Sequence, residues 1–235
     1  MMRVNNMRLV VDKIYQEKPT AMNEMIKLWS GEIKQVDFIR ASSNFVFKII
    51  YNGKEKFLRF SHETDKAKAS IEAEMDFILY LHEQGLSIAL PNLSQNNNYV
   101  ETVETEDGKF NGVLFDKANG VYINEEDLTL QHFFKWGEVS AKIHLASKDF
   151  QPNSQRKRQT WVEEIHQANQ MFAEKDAHIK QELENLTNWI KSLHLTKENY
   201  GLIHYDLCTD NIFWQDYQPC LIDFDDAAYY PFTAD

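Results

Sequence analysis

The sequence predicts an α+β protein in two lobes: an antiparallel strand-rich first lobe carrying one long helix, followed by a mostly helical second lobe. Three observations carry this. Asn52-Gly53 lies between two runs of apolar and aromatic residues, residues 65–83 place apolar side chains at helical spacing, and beyond residue 120 the texture changes from strand-like to helical.

Taken in order, Met22, Met25, Ile26 and Trp29 predict a short opening helix within 19–31, stopped by Gly31. Phe45 to Tyr51 and Lys54 to Phe60 then flank Asn52-Gly53, the pair best suited to the positive φ angles of a two-residue hairpin loop. Such a loop sets Tyr51 against Lys54, Lys48 against Phe57 and Val46 against Arg59, all on one face of the sheet. Ile71, Met75, Ile78, Leu79 and Leu81 interleave with charges, as a helix of about five turns requires, and Gly85 lies just beyond its end.

Tyr99 to Val103 and Lys109 to Phe115 are further strands, parted by the turn signal Glu106-Asp107-Gly108. Residues 116–120 form a connector. Residues 125–147 and about 160–192 are helical by period, with Pro152 and Asn153 in the gap, and Tyr200 to His204, Asn211 to Trp214 and Pro219 to Asp223 are brief strands. The expected organisation is a first lobe over 1–115, a connector over 116–120 and a second lobe over 121–235.

Composition narrows the function. The chain has 235 residues, 43% of them hydrophobic, with 25 Lys and Arg against 36 Asp and Glu, a net charge of −11. That is a folded, acidic chain, and it argues against nucleic acid, whose phosphates need clustered cations. The dense basic run Arg156-Lys157-Arg158 is expected to be a solvated loop before a helix. Two cysteines, Cys208 and Cys220, make neither a disulfide framework nor a paired zinc spacing, and no uncharged run reaches the roughly 18 apolar residues of a membrane span. The expectation is a cytoplasmic protein without nucleic-acid or membrane partners, its oligomeric state open. The five tryptophans, at 29, 136, 161, 189 and 214, read as core or groove walls, and Cys208 as a small buried filler.

The informative stretch is His204-Tyr205-Asp206-Leu207-Cys208-Thr209-Asp210-Asn211, followed by Leu221-Ile222-Asp223-Phe224-Asp225-Asp226. It holds a carboxylate, an amide five residues later, and another carboxylate at the end of an apolar strand. Phosphoryl transfer from ATP needs a group to receive or orient the acceptor hydroxyl's proton, together with hard oxygen ligands for Mg²⁺. Asp206, Asn211 and Asp223 supply that set. The spacing from Asp206 to Asn211 is a moderate signal that becomes strong when Ile-Asp-Phe-Asp follows downstream.

On these residues the sequence resembles the aminoglycoside phosphotransferase and choline kinase group, within the protein-kinase-like fold, in a flavour similar to the bacterial branch that includes homoserine kinases. The likeness covers most of residues 33–235 and implies a bilobal nucleotide-binding enzyme using ATP and Mg²⁺. It implies Asp206 as catalytic base or hydroxyl-orienting group, Asn211 and Asp223 as magnesium ligands, and His204 in support of the loop. The family's strand lysine corresponds to Arg59, with Glu74 as its partner on the long helix and Glu72 the alternative. Val46, on Arg59's face, is placed to cover the adenine ring, and Phe115 in the connector strand to contact the nucleotide.

Several positions depart from the family. The phosphate-covering turn reads Arg40-Ala41-Ser42-Ser43-Asn44 with no glycine, leaving the hydroxyls of Ser42 and Ser43 and backbone N–H groups to meet phosphate oxygens. Asp225 stands where protein kinases have glycine, with three open readings: a second magnesium ligand, recognition of a cationic acceptor, or a solvated loop carboxylate. His144, on a helix, reads as packed and hydrogen-bonded. The chain stops twelve residues after Asp223, whereas relatives continue into helices that help to build the acceptor pocket, so the second lobe is expected to be incomplete. The resulting expectation is an ATP-dependent phosphotransferase acting on a small-molecule hydroxyl. The alternative is an inactive or truncated kinase-like module that binds nucleotide without transferring phosphate.

Overall fold

Asn52 and Gly53 both adopt positive φ, 49° and 74°, the backbone of a two-residue hairpin loop whose twist matches its strands. The computed structural model, which describes residues 2–16, 20–153, 155–172 and 176–235, builds the first lobe around that hairpin. Strands β2 (Phe45–Tyr51) and β3 (Lys54–His62) pair with Tyr51 opposite Lys54, Lys48 opposite Phe57 and Val46 opposite Arg59. Strand β1 (Ile33–Ala41) pairs with β2, and β6 (Gly108–Asp116) with β3. Both β4 (Pro91–Asn92) and β5 (Glu101–Thr105) pair with β6. Every pairing in this six-stranded sheet is antiparallel.

The sheet has two different faces because side chains alternate along each strand. Phe45, Phe47 and Ile49 on β2, with Leu58, Phe60, Phe110 and Leu114, are buried against α1 (Val4–Tyr15), α2 (Ala21–Ile26) and the following Trp29. The other face meets α3 (Lys68–Glu83). That helix buries Ile71, Met75, Phe77, Ile78 and Leu81 in a core that continues into Val139 and Ile143 of α4 (Leu130–Ser147) and into Leu202, Ile212, Leu221 and Phe224. One hydrophobic cluster therefore joins the strand-rich and helical parts.

The second part continues with α5 (Trp161–Met171) and α6 (Ala177–Ser192). Strand β7 (Tyr200–Ile203) pairs with β10 (Ala228–Pro231), and β8 (Ile212–Gln215) with β9 (Gln218–Leu221). No helix among the described residues is long and apolar enough to cross a membrane.

Several elements differ from the sequence expectation. The opening helix is only Ala21–Ile26, because Trp29 turns inward and its indole N–H donates to the Asn92 carbonyl at 3.0 Å; Pro19 lies outside the described residues. Helix α1 precedes it, burying Val10 on one side. Residues 125–147 contain a 3₁₀ turn before α4, whose start is fixed at Thr129 by reciprocal bonds with His132. The stretch 160–192 is two helices, with residues 173–175 outside the described set. Trp189 is exposed, whereas Trp29, Trp161 and Trp214 are buried.

The segment after β6 runs along β8, where Val121 and Trp214 exchange backbone hydrogen bonds of 3.0 and 2.8 Å. Gly120 makes that approach possible: its φ is +96°, and a Cβ there would lie 2.4 Å from the Trp214 carbonyl carbon and oxygen. Gly120→Ala is therefore expected to cost about 1–3 kcal/mol. At about 2–4 °C per kcal/mol for a chain of this size, the loss is visible in a thermal melt. A melt superimposable on the wild type would show that the connector relaxes freely.

Candidate functional site

The sheet register builds one wall of the site. Arg40 on β1 lies opposite Val46 on β2, which lies opposite Arg59 on β3, so the three side chains stand in a row on the face that meets α3. Arg59 donates through Nη2 to both carboxylate oxygens of Glu74 on α3, at 2.7 and 2.6 Å, and its guanidinium lies 5.0 Å from the Phe115 ring centroid. Glu74 is fully buried, which pushes its carboxyl above the usual range against the pull of Arg59. Burial also opposes the charge on Arg59, but Glu74, Asp225 and Asp223 outweigh it and hold the guanidinium protonated. Glu72 points elsewhere on α3 and pairs with Arg156 at 3.2 Å.

Across from the sheet the cavity is lined by Phe213, Ile222, Asp223 and Phe224, and the loop from His204 to Asn211 is joined to that wall by hydrogen bonds. His204 is buried, and burial lowers its pKa, so the ring is neutral. It donates from Nε2 to the Ile222 carbonyl at 3.0 Å and accepts the Asp206 N–H on Nδ1 at 3.3 Å. Tyr205 takes a left-handed conformation, φ 71°, and turns the chain so that Asp206 is exposed. Asn211 donates through Nδ2 to the Asp206 carbonyl at 2.8 Å and to Asp206 Oδ2 at 2.9 Å, while its own carbonyl accepts the Ile222 N–H at 3.1 Å. Asp223, also left-handed at φ 62°, presents its carboxylate to the sheet: Arg40 Nη2 lies 2.9 Å from Oδ2 and Arg59 Nη1 3.3 Å from Oδ1.

Between the walls is a cavity of about 160 Å³, partly open to solvent. Val46, Phe57, Ile88, Ala89, Phe115, Phe213 and Ile222 give it a largely apolar lining, to which Arg40, Arg59, Glu74 and Asp223 add charge on the side of α3, and Asp116 and Lys117 beside Phe115. Ser42 and Ser43 are outside its lining, on the turn between β1 and β2, where the Ser42 N–H donates to the Asn44 carbonyl at 3.2 Å.

Asp225 is not a solvated loop carboxylate. It is 4% exposed; Asn44 donates to its Oδ2 at 2.8 Å, and the Lys66 ammonium sits against Oδ1. Burial alone would raise its carboxyl, but Arg59, Lys66 and Asn44 hold it well below the usual range. Nor is the basic run a solvated loop. Arg158 is buried and donates to the Ala227 carbonyl at 2.6 Å, to the Asp225 carbonyl, and to the Ser70 carbonyl and hydroxyl at 3.2 Å each. Arg156 pairs with Glu72 and Asp76 of α3. These arginines tie the start and middle of α3 to the second part of the molecule.

Arg40, Asn44, Lys66 and Arg158 were not singled out as site residues in the sequence. Arg40 and Asn44 stood in the noted turn, and Arg158 in the noted basic run; Lys66, two residues before α3, carried no signal of its own. His144 is packed as expected, stacked on Phe232 and 3.0 Å from Asp235 Oδ2. Cys208 is half-buried, whereas Cys220 is fully buried. Among the described residues no three His, Cys, Asp or Glu side chains gather as a metal-binding group. Of the three predicted oxygen-bearing residues only Asp223 lines the cavity; Asp206 and Asn211 lie outside its lining, tied to it through the Ile222 N–H on the Asn211 carbonyl, so a Mg²⁺ there would need further oxygens from Asn211, water or substrate.

Residues 36–235 match the model of the phosphotransferase enzyme family. Amicoumacin kinase of Bacillus subtilis (strain 168) is 27% identical over 228 residues, 96% of this chain and 68% of that protein. The structure of amicoumacin kinase hAmiN in complex with AMP-PNP, Ca²⁺ and Ami superposes with a TM-score of 0.83 at 27% identity, covering 95% of this chain and 69% of that one. A microcompartment-associated aminopropanol kinase superposes with a TM-score of 0.71 at 19% identity, covering 90% and 70%.

The charge network gives a pH signature. Because the folded Asp225 carboxyl lies below its unfolded value of about 3.9, the stability it contributes is present above that pH and is lost as pH falls through the folded value. Asp225→Asn should destabilise the neutral protein by about 3–5 kcal/mol, since Lys66 and Arg59 lose a buried partner. It should also flatten the fall in stability below about pH 4. Urea midpoints from pH 3 to 7 test both; an acid limb as steep as that of the wild type would remove Asp225 from this role.

Proposed function

The chain belongs to the phosphotransferase enzyme family, and on that premise we propose that it transfers the γ-phosphoryl group of ATP to a hydroxyl of a small molecule. The observation that carries this reading is the hydrogen-bonded loop in which His204 fixes both Asp206 and Ile222 while Asn211 fixes Asp206, leaving Asp223 among the charged residues of the cavity lining.

In this reading the apolar lining of the cavity takes the adenine ring, with Val46 over one face and Phe115 beside it. Arg59, held by Glu74, directs its remaining donors to the phosphates. Ser42 and Ser43, on the turn beside Arg40, are the hydroxyl donors for outer phosphate oxygens. Asn211 and Asp223 would hold Mg²⁺, which when bound would supply positive charge to neutralise the phosphate oxygens.

Asp206 receives or orients the acceptor's proton. Its Oδ2 is occupied by Asn211, which leaves the other oxygen to the substrate hydroxyl. As the acceptor O–H bond gives its proton to Asp206, the acceptor oxygen forms its bond to the γ-phosphorus, and the bond to the bridging oxygen of ADP breaks in line. His204 does not move protons in this scheme. Neutral and buried, it holds the loop.

That a related structure contains AMP-PNP and a divalent cation supports the nucleotide assignment, and the names of amicoumacin kinase and aminopropanol kinase support a small hydroxylated acceptor. Hydroxylated antibiotics and amino alcohols are the first acceptor panel to try.

Asp206→Asn should lower kcat by about 10²–10⁴. As an exposed substitution it should leave stability within about 0.5 kcal/mol. Mg-ATP at 100 times its Kd should stabilise both wild type and variant by about 2.7 kcal/mol. Coupled ADP-release assays and calorimetry read these effects. Nucleotide stabilisation of the wild type without ADP release against any acceptor would favour the alternative, a module that binds nucleotide but does not transfer phosphate. Unchanged turnover in Asp206→Asn would assign the proton to another group.

A further inference from the structure

Arg40 carries an interaction that the reaction as described does not use. It sits on β1, at the edge of the sheet, yet its guanidinium crosses the cavity to Asp223, 183 residues away, with Nη2 2.9 Å from Oδ2. A β-bulge aims it there. Phe38 pairs with Phe47 and Arg40 with Val46, so Ile39 is an extra residue between them. In a regular ladder Ile39 would oppose Val46, and Arg40 would oppose Phe45 and point into the core beneath the sheet. The bulge leaves Ile39 unpaired and so returns Arg40 to the cavity face, beside Val46 and Arg59, as bulges next to functional sites re-aim side chains.

The neighbouring turn leaves that job to a side chain. The Ser42 N–H is spent on the Asn44 carbonyl and the Asn44 amide on Asp225, so two donors of this glycine-free turn are already committed to holding the loop. The two arginines on Asp223 also differ in freedom. The Arg59 side chain is 11% exposed and fastened to Glu74, whereas the Arg40 side chain is 55% exposed. A guanidinium offers five N–H donors in a planar fork suited to phosphate, on a long side chain that can swing. A cation bound by Asp223 at about 2.0–2.1 Å would bring its phosphate ligands within a few ångströms of where Arg40 Nη2 now lies.

We propose that Arg40 is a phosphate-binding residue of the nucleotide site, and that it changes partner, exchanging Asp223 for the polyphosphate when metal and nucleotide enter together. The inference rests on the phosphotransfer reading above and adds a residue to it. In this exchange Arg40 competes with the cation for Asp223, so the carboxylate takes the cation most readily when phosphate is present to accept the arginine. The coupling makes metal and triphosphate binding mutually dependent through one side chain.

Titration calorimetry of the wild type, Arg40→Gln and Arg40→Lys tests this with three probes: Mg-AMP-PNP, adenosine, and Mn²⁺ alone. Arg40→Gln should bind Mg-AMP-PNP about tenfold to a hundredfold more weakly, the effect of losing a charge-assisted hydrogen bond. It should bind adenosine unchanged, and Mn²⁺ alone at least as tightly as the wild type does. Arg40→Lys should recover part of the Mg-AMP-PNP affinity. Equal Mg-AMP-PNP affinity in wild type and Arg40→Gln overturns the role of Arg40 while leaving the phosphotransfer reading intact. A matching loss for adenosine, or weaker Mn²⁺ binding, likewise overturns it, by showing that Arg40 only shapes the cavity or supports Asp223. A wild type that takes up no Mg-AMP-PNP overturns the phosphotransfer reading itself.

Discussion

The rest of the site depends on a set of buried charged groups held by one another, by Asn44 and Ser70, and by backbone carbonyls. Glu74 is fully enclosed, Asp225 almost so, and Arg59 and Arg158 nearly as deep. An isolated charge at any of these positions would carry a desolvation penalty of several kcal/mol, so each is tolerated only where its partner stands. The partners come from distant parts of the chain: β3 supplies Arg59, α3 Glu74, the approach to α3 Lys66, and the loop after β9 Asp223 and Asp225. Shifting one element by a few ångströms would strand several charges at once. The network therefore fixes the position of α3 relative to the loop, and with it the width of the cavity.

Arginine at position 59 is intelligible in this light. A lysine ammonium is a compact point charge at the end of a flexible stem, whereas a guanidinium presents nitrogens that diverge in one plane. Arg59 uses that shape to give Nη2 to Glu74 while Nη1 faces Asp223, spanning two carboxylates on two elements. Asp225, in place of a glycine, extends the same logic. Its carboxylate is held from three sides by Asn44, Lys66 and Arg59.

What the sequence revealed followed the range of the interactions involved. The hairpin was legible because Asn52-Gly53 determines its own backbone and, by counting outward, the pairing of Val46 with Arg59. The loop from His204 to Asp223 was legible because its residues lie close together in the chain and their types fit one chemistry. Helix α1 was not legible: Val4, Met7, Val10, Val11 and Ile14 fall at helical spacing, but neither a capping side chain nor an acidic first turn marks its start. Arg158 was misjudged for a deeper reason. Its acceptors are the carbonyls of Ser70, Asp225 and Ala227, and a backbone carbonyl has no sequence signature. A basic run facing such acceptors looks the same as one facing water. Likewise, the bulge at Ile39 that directs Arg40 is set by pairing across β1 and β2, which composition does not show.

The two walls of the cavity are held to different degrees, and the difference suits phosphoryl transfer. On the helical side, His204, Asp206, Asn211 and Ile222 are joined through backbone and side-chain hydrogen bonds, so the groups proposed to orient the acceptor and the cation form one preorganised unit. Positioning of this kind lowers a barrier only if it is in place before the reaction begins. On the sheet side, Arg59 is similarly fixed, but Arg40 at the rim is exposed and bound to a carboxylate that the cation is proposed to claim. A site rigid on both sides would grip its products as firmly as its substrates. In the proposed exchange an exposed arm with an alternative partner in Asp223 would release the phosphates and return to a neutralised pair, so that the charge on Asp223 would be covered at each stage without rearrangement of the buried network beneath it.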